Sequence, residues 1–416
     1  MVSPGGKSYE AGHAPVSYFA TEGKPMDAWQ LAQQLVRIDS SNPGAQEDKI
    51  ERYIKQLVEQ RVSSMPTYLV KHISIKELEA LPARRNLNVT VAGYGNAPNL
   101  VYICHMDTVT LGEGWNKDTP ALGATVRGNH LYGRGACDMK GGLACALSAL
   151  LSLLDAMEHT GTQPARGFSL ICTVDEEANM RGVEAAIDAG WVGMDEWVLD
   201  TEPTDNQIQV AHKGRTWFEL DIKGVTAHAS QPWEGADAVA ATAEAISHIR
   251  HGIEALPRHA ELGASTVTFG MVQGGYQPYV VPDACTTWID MRLVPPTTTA
   301  QAEMIVQQAI ESAQREVPGI QGTYRITGDR PPIERDPGSP LLAALSKTVE
   351  QTTGAPAQVS YFTGYTDTAV IAHNCMSYGP GSLALAHKPN EWVPHDDIQR
   401  VEAVLTNLLL SLLDLA

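Results

Sequence analysis

The chemistry in this chain is carried by a few imidazoles and carboxylates that follow short apolar runs. His105 and Asp107 stand in CHMDTV, directly after NLVYIC. Open α/β sheets place their sites beyond such strand ends, and side chains two apart there point to the same side. Taken alone, the pair reads more readily as ordinary surface or loop residues. Asp138 lies inside GRGACDMKGG (133–142), where glycines on both sides permit unusual dihedrals and close backbone approach. A phosphate cradle is the competing reading of a Gly-rich turn before a helix. The spacing matches neither GxGxxG nor GxxxxGK[ST], because Lys140 is followed by Gly141. Asp175, Glu176 and Glu177 follow FSLICTV as three adjacent acids. Without a partner they are a solvated acidic loop, but a cation would turn their repulsion into attraction. Glu202, with Asp200 as its local competitor, follows a third apolar run in VLDTEPT, and His387 is a lone histidine in AHKPNEWV.

Together, two histidines and three carboxylates on loops after successive strands make a nitrogen and oxygen ligand set. Five such groups can hold two divalent ions if one carboxylate bridges. No thiolate belongs to the set, which fits zinc in a catalytic role, with cobalt or manganese as alternatives.

The elements that must position these residues follow from hydrophobic period. Residues 27–39 and 47–59 carry helical periodicity, with Ile50, Tyr53, Ile54, Leu57 and Val58 on one face of the second. Asn42-Pro43-Gly44 separates them as a turn. Runs 86–92, 99–104, 168–174 and 196–199 read as buried strands, and 140–154 as a largely buried Ala/Leu-rich helix. Strands alternating with helices predict a layered α/β domain. From 213 the order changes to strand 216–223, helix 237–251, strands 265–272 and 284–293, helix 299–316 and strand 322–328. That β-α-β-β-α-β order is the ferredoxin-like arrangement. The α/β pattern resumes after Pro331-Pro332 with a helix over 339–352 and another from about 398. The expected organisation is a flexible extension over 1–25, a catalytic domain over 26–212 and 330–416, and an inserted domain over 213–329. A chain of 416 residues is long enough to require two cores.

The net charge of −18 argues against a nucleic-acid partner, which needs clustered Lys and Arg. The six cysteines form no CxxC pair and several sit in apolar runs, so they read as buried free thiols of a reducing compartment. A thiol nucleophile at Cys104 or Cys137 is the weaker reading. The first 25 residues hold no apolar stretch long enough for a signal peptide or membrane span, so no membrane partner and a cytoplasmic location are expected.

In order, CHMDTV, GRGACDMKGG, the DEE triplet, EPT, GVTAHAS, TGYTD and AHKPNE resemble the dinuclear-metal peptidases and deacylases. That family includes acetylornithine deacetylase, succinyl-diaminopimelate desuccinylase, aminoacylase and glutamate carboxypeptidase. The resemblance implies an α/β metallopeptidase catalytic domain with an inserted dimerisation (lid) domain. It implies that Asp138 bridges two ions, with His105 and Glu202 completing one site and Glu177 and His387 the other. Glu202 rather than Asp200 takes the ligand position. Asp107 would orient His105 from behind, and Glu176 would be the general base in hydrolysis of an amide. His228, in GVTAHAS, would stabilise the oxyanion from the partner subunit of a homodimer; a surface loop histidine is the alternative. Two positions depart from the family pattern: Tyr279 replaces a usual Asn in GGYQPYVVP, and Tyr365 a smaller residue in TGYTD. Arg292 of IDMR, Tyr279 and Gly364 fall where substrate contacts are implied, although a strand arginine also reads as a salt-bridge partner. The leading expectation is a deacylase of N-acyl amino acids resembling acetylornithine deacetylase. A metallo-dipeptidase or carboxypeptidase acting on short peptides is the second. A non-catalytic binding protein on the same scaffold is the third, though it would be expected to lose ligands or base, and all are present.

Overall fold

The computed structural model describes residues 25–334, 336–362 and 365–415. Helices α1 (Ala28–Val36), α2 (Asp48–Ser63) and α3 (Thr67–Val70) lead to strands β1 (Ile73–Leu81), β2 (Arg84–Val91) and β3 (Leu100–His105). Short strands β4 (Thr125–Arg127) and β5 (His130–Tyr132) precede α4 (Lys140–Thr160), β6 (Phe168–Thr173), α5 (Arg181–Asp188), β7 (Trp197–Asp200) and β8 (Ile208–His212). Next come β9 (Arg215–Lys223), α6 (Ala238–Glu254), β10 (Thr266–Gly274), β11 (Ala284–Arg292), α7 (Thr299–Glu316) and β12 (Gln321–Arg330). The chain ends with α8 (Pro340–Thr353), β13 (Val359–Phe362), α9 (Thr368–Ile371), β14 (Cys375–Ser377), β15 (Trp392–Pro394) and α10 (His395–Leu412).

Eight strands form one sheet in the order β1-β2-β6-β3-β7-β14-β8-β13, with β6, β3, β7 and β14 parallel through its centre. The continuous apolar run of β3 splits by the two-residue period of a strand. Leu100, Tyr102 and Cys104 enter the core with α1, α2, α4, α8 and α10, while Val101 and Ile103 face a smaller cluster with α5 and α9. Both faces are therefore covered, as a parallel sheet requires. Helix α4 is apolar and long enough to cross a membrane by length and composition, but 78% of that window is buried in the protein core.

The sheet β10-β11-β9-β12 is fully antiparallel and has its own core. Phe218, Leu220, Ile222, Ile289 and Met291 face α6 and α7, while the alternate positions carry Trp217, Glu219, Trp288 and Asp290. Its helices start on side-chain caps from Asp237 and Thr298. Its order is the β-α-β-β-α-β sequence read from the pattern. Strand β10 forms one edge and leaves Met271 and Val272 about half exposed.

Candidate metal centre

The parallel strands deliver the acidic and imidazole groups to one end of the sheet. His105 is the last residue of β3, Glu176 and Glu177 follow β6, and Glu202 follows β7. Asp138 lies just before α4 and His387 just before β15. The six side chains converge. Nε2 of His105 lies 3.2 Å from Asp138 Oδ1 and 3.5 Å from Glu202 Oε1. On the other side, Nε2 of His387 is 3.3 Å from Asp138 Oδ2 and 2.9 Å from Glu177 Oε2. His105, Asp138 and Glu202 thus make one group able to hold a cation, and Asp138, Glu177 and His387 a second. Asp138 gives one oxygen to each. Glu176 belongs to neither, and its Oε2 stands 4.0 Å from His105 Nε2.

Asp200 is buried, but its Oδ1 accepts the Glu202 amide at 3.2 Å; it stands behind the ligand rather than among the ligands. The path of the chain past Glu202 is fixed by two glycines. A Cβ on Gly142 would fall 1.9 Å from the Thr201 carbonyl oxygen, and one on Gly379 would fall 2.4 Å from that of Glu202. Asp107 stands behind His105 and meets it most closely through its backbone. Nδ1 of His105 is 2.9 Å from the Asp107 carbonyl oxygen and 3.6 Å from the carboxylate. The carboxylate instead accepts the amides of Glu176 at 3.2 Å and Glu177 at 3.3 Å. Asp107 therefore orients the imidazole through its backbone and the acidic loop through its side chain.

The electrostatics of these groups describe an excess of buried negative charge. Burial pushes the Glu176 carboxyl well above the ordinary range, aided by Glu177, Asp367 and Asp138 and opposed by His105. Burial and Asp138 do the same for Glu202 and, to a lesser extent, Glu177. Burial opposes the charged imidazole of His105, yet Glu202, Asp107, Asp138 and Glu176 raise it well above its usual value. Hydrogen bonds to Asp138 and Glu177 raise His387 to about 10. A cation bound among these groups would displace the imidazole protons and relieve the repulsion between the acids. The donor set is oxygen and imidazole nitrogen, so the residues fit two divalent ions.

One supporting pair escaped the sequence. Glu391 Oε1 accepts the amides of Cys137 at 2.9 Å and Asp138 at 3.1 Å, and its Oε2 pairs with Arg134 at 2.6 Å. Arg134 also donates to the Lys388 carbonyl, so this buried pair joins the loop of Asp138 to that of His387. Glu391 lies four positions beyond a suspected ligand and Arg134 four before another, but nothing local marks them as a pair.

The remaining residues belong to neither group. His228 is exposed on the β9–α6 connection, paired with Val280 of the β10–β11 connection. Its Nδ1 lies 2.8 Å from the Ser230 hydroxyl and accepts the Ser230 amide at 3.2 Å. Tyr279, 57% exposed, accepts the Ala229 amide through its carbonyl. Arg292 forms a two-pronged salt bridge with Asp290 at 2.8 and 3.1 Å. Its charge is satisfied within β11, as the salt-bridge reading of a strand arginine expects. Tyr365 is half buried under the Arg215 guanidinium, 4.8 Å from its ring centre. Gly364 and the 1–24 part of the N-terminal extension lie outside the described residues.

A layered α/β fold with paired His/carboxylate groups beyond the parallel strands defines a metal-dependent hydrolase acting on amide bonds. The chain belongs to peptidase family M20/M25/M40, whose pattern matches residues 101–411. It is 30% identical over 345 residues to an acetylornithine deacetylase of Edwardsiella ictaluri, covering 80% of this chain and 85% of that one. It is 28% identical over 319 residues to an acetylornithine deacetylase of Myxococcus xanthus, covering 76% and 80%. The solved structure of a dinuclear metal binding peptidase from Bacillus subtilis shares the fold at TM-score 0.67 and 14% identity, covering 94% of this chain and 98% of that one.

Proposed function

We propose that this protein is a deacylase of N-acyl amino acids, resembling acetylornithine deacetylase, that works with two divalent ions, zinc or in its place cobalt or manganese. The observation that carries the reaction is the division of Asp138 between two His/carboxylate groups with Glu176 left over beside them. The substrate class rests on the curated relatives, which are named acetylornithine deacetylase. His105, Asp138 and Glu202 would hold one ion and Asp138, Glu177 and His387 the other. Such ions supply Lewis acidity, polarising the amide carbonyl and lowering the pKa of water. Glu176 takes the proton of the attacking water and returns it to the leaving nitrogen. Asp107 holds Glu176 in place through the Glu176 amide. His228 donates from Nε2 to the tetrahedral oxyanion, reaching the site from the partner of a homodimer built on the lid domain. On the family resemblance, Tyr279 contacts the acyl or amine group of the substrate. Six free cysteines suit a reducing, cytoplasmic setting.

The test is a panel of N-acyl amino acids, N-acetylornithine included, assayed beside dipeptides with the purified, metal-analysed protein. Turnover confined to dipeptides would replace deacylation with the dipeptidase reading. Glu176→Ala should keep both ions and lose about 10²–10⁴-fold in kcat; unchanged activity would remove Glu176 as the base and reopen a purely binding role.

A further inference from the structure

The loop carrying Glu176 and Glu177 is gripped by residues that precede the family-matched segment 101–411. Asn42 lies in the turn after α1, Glu47 just before α2 and Arg84 at the start of β2, and all three are buried. Arg84 Nε donates to Glu47 Oε2 at 2.7 Å, and a second guanidinium nitrogen pairs with Glu47 Oε1. Its third nitrogen donates to Asp175 Oδ1 at 2.9 Å. The Asp175 amide in turn donates to Glu47 Oε1 at 3.1 Å. Asp175 is thus held at both side chain and backbone. Its φ of +66° lies in the left-handed region, sparsely used by residues other than glycine, so its position needs that hold. The next two residues are Glu176 and Glu177.

Asn42 closes the arrangement. Its Nδ2 donates to Asp175 Oδ1 at 3.1 Å and to Asp107 Oδ2 at 2.9 Å. Both partners are carboxylates that accept only, so the amide orientation is set by chemistry. Asp107 then accepts the amides of Glu176 and Glu177. The acidic loop is therefore pinned from two directions, through Arg84 and Asp175 before it and through Asn42 and Asp107 beneath it. The same Asp107 backbone carries His105.

We infer that Asn42, Glu47 and Arg84 are positioning residues that set the aim of Glu176 and Glu177, coupling the N-terminal turn and hairpin to the metal centre. None of them touches a reacting group. Arg84 compensates the buried charge of Glu47 and Asp175, and Asn42 transmits that placement to Asp107. A residue whose role was only to stabilise the fold would lower the melting temperature without changing metal affinity or turnover per folded, metal-loaded molecule. The inference rests on Glu177 as ligand and Glu176 as base.

The decisive variants are Asn42→Ala and Arg84→Lys. Lysine keeps the buried positive charge but cannot serve Glu47 and Asp175 together in the fork of a guanidinium. Zinc titration by calorimetry, visible absorption of the cobalt-substituted protein, and separate kcat and KM values are measured on parent and variants. The expected result is binding of one of the two ions weakened about 10–100-fold, with an altered cobalt spectrum. With both ions saturating, kcat should fall at least about tenfold while KM moves less than about threefold. A folded variant that binds both ions and turns over like the parent overturns the inference. Should Asn42→Ala fail to fold, Arg84→Lys decides by the same readouts. Failure of the parent itself to bind two ions would instead sink the ligand assignment, so the two outcomes are distinguishable.

Discussion

His387 is the ligand candidate whose behaviour is most open to test. Its side chain is 53% exposed, whereas His105 is buried at 1%. Its hydrogen bonds to Asp138 and Glu177 raise it to about 10, against the opposing effect of burial. The folded value lies above the ordinary 6.5, so its stabilising contribution is complete below that pH and is lost as pH rises through about 10. The chelated protein should therefore lose melting temperature over that window. Metal binding has the opposite slope, because a ligating imidazole must be neutral. Affinity for the ion at His387 should rise by about tenfold per pH unit for each proton displaced. Calorimetry in two buffers of different ionisation enthalpy reads that proton release. His387→Ala should weaken one ion and release about one proton fewer; undiminished release would assign the proton to another group.

At the level of elements, packing around α4 and β7 limits what the site tolerates. Gly142→Ala would press a methyl group into the Thr201 carbonyl, backbone that carries Glu202 directly after it. The expected loss is on the order of 1–3 kcal/mol of stability, with zinc affinity reduced as Glu202 shifts. Chemical denaturation and zinc titration check it, and a variant equal to the parent in both would show that the helix can retreat. A second case lies on α2, where Glu51 is 1% exposed and its Oε1 has no hydrogen-bond partner among the described residues. Burial, then Glu77, raises its carboxyl to about 7 from 4.5. A raised carboxyl binds its proton more tightly when folded, so stability declines as pH rises from 4.5 through 7. Glu51→Gln should stabilise the protein above that window by up to about 3 kcal/mol and leave it nearly unchanged at pH 4.5. Equal melting shifts at both pH values would refute the linkage. These elements also show what could be read from sequence. The central strands were legible because both faces are covered and the runs are continuously apolar, and the ligands were legible because they end those runs. β1 was not, because ISIKELEAL is an edge strand with charged exposed positions and no clean alternation. Asn42, Glu47 and Arg84 were not, because their partners lie 37 to 133 positions away and leave no local signature. Glu391 was hidden in a motif already accounted for by His387.

For the whole molecule, the question is whether one chain makes a complete site. The edge strand β10 offers unpaired backbone with Met271 and Val272 half exposed, an arrangement that monomeric proteins usually guard with charge. Pairing of two such edges would be an isologous contact, placing each lid against its twin. His228 lies in the same lid domain, on a loop tied to the β10–β11 connection. If it serves the partner's centre, each site needs Glu176 from one chain and His228 from the other. His228→Ala and Glu176→Gln would each be nearly inactive alone. Mixed, dissociated and reassociated, they would form hybrid dimers in which one of the two sites has both groups intact. Random reassortment makes half the dimers hybrid, so activity should recover to about one quarter of the parent. If His228 acts within its own chain, no hybrid site is whole and mixing recovers nothing. Charged substitutions at Met271 and Val272 supply the control, since a protein held monomeric should lose both the recovery and the parental activity.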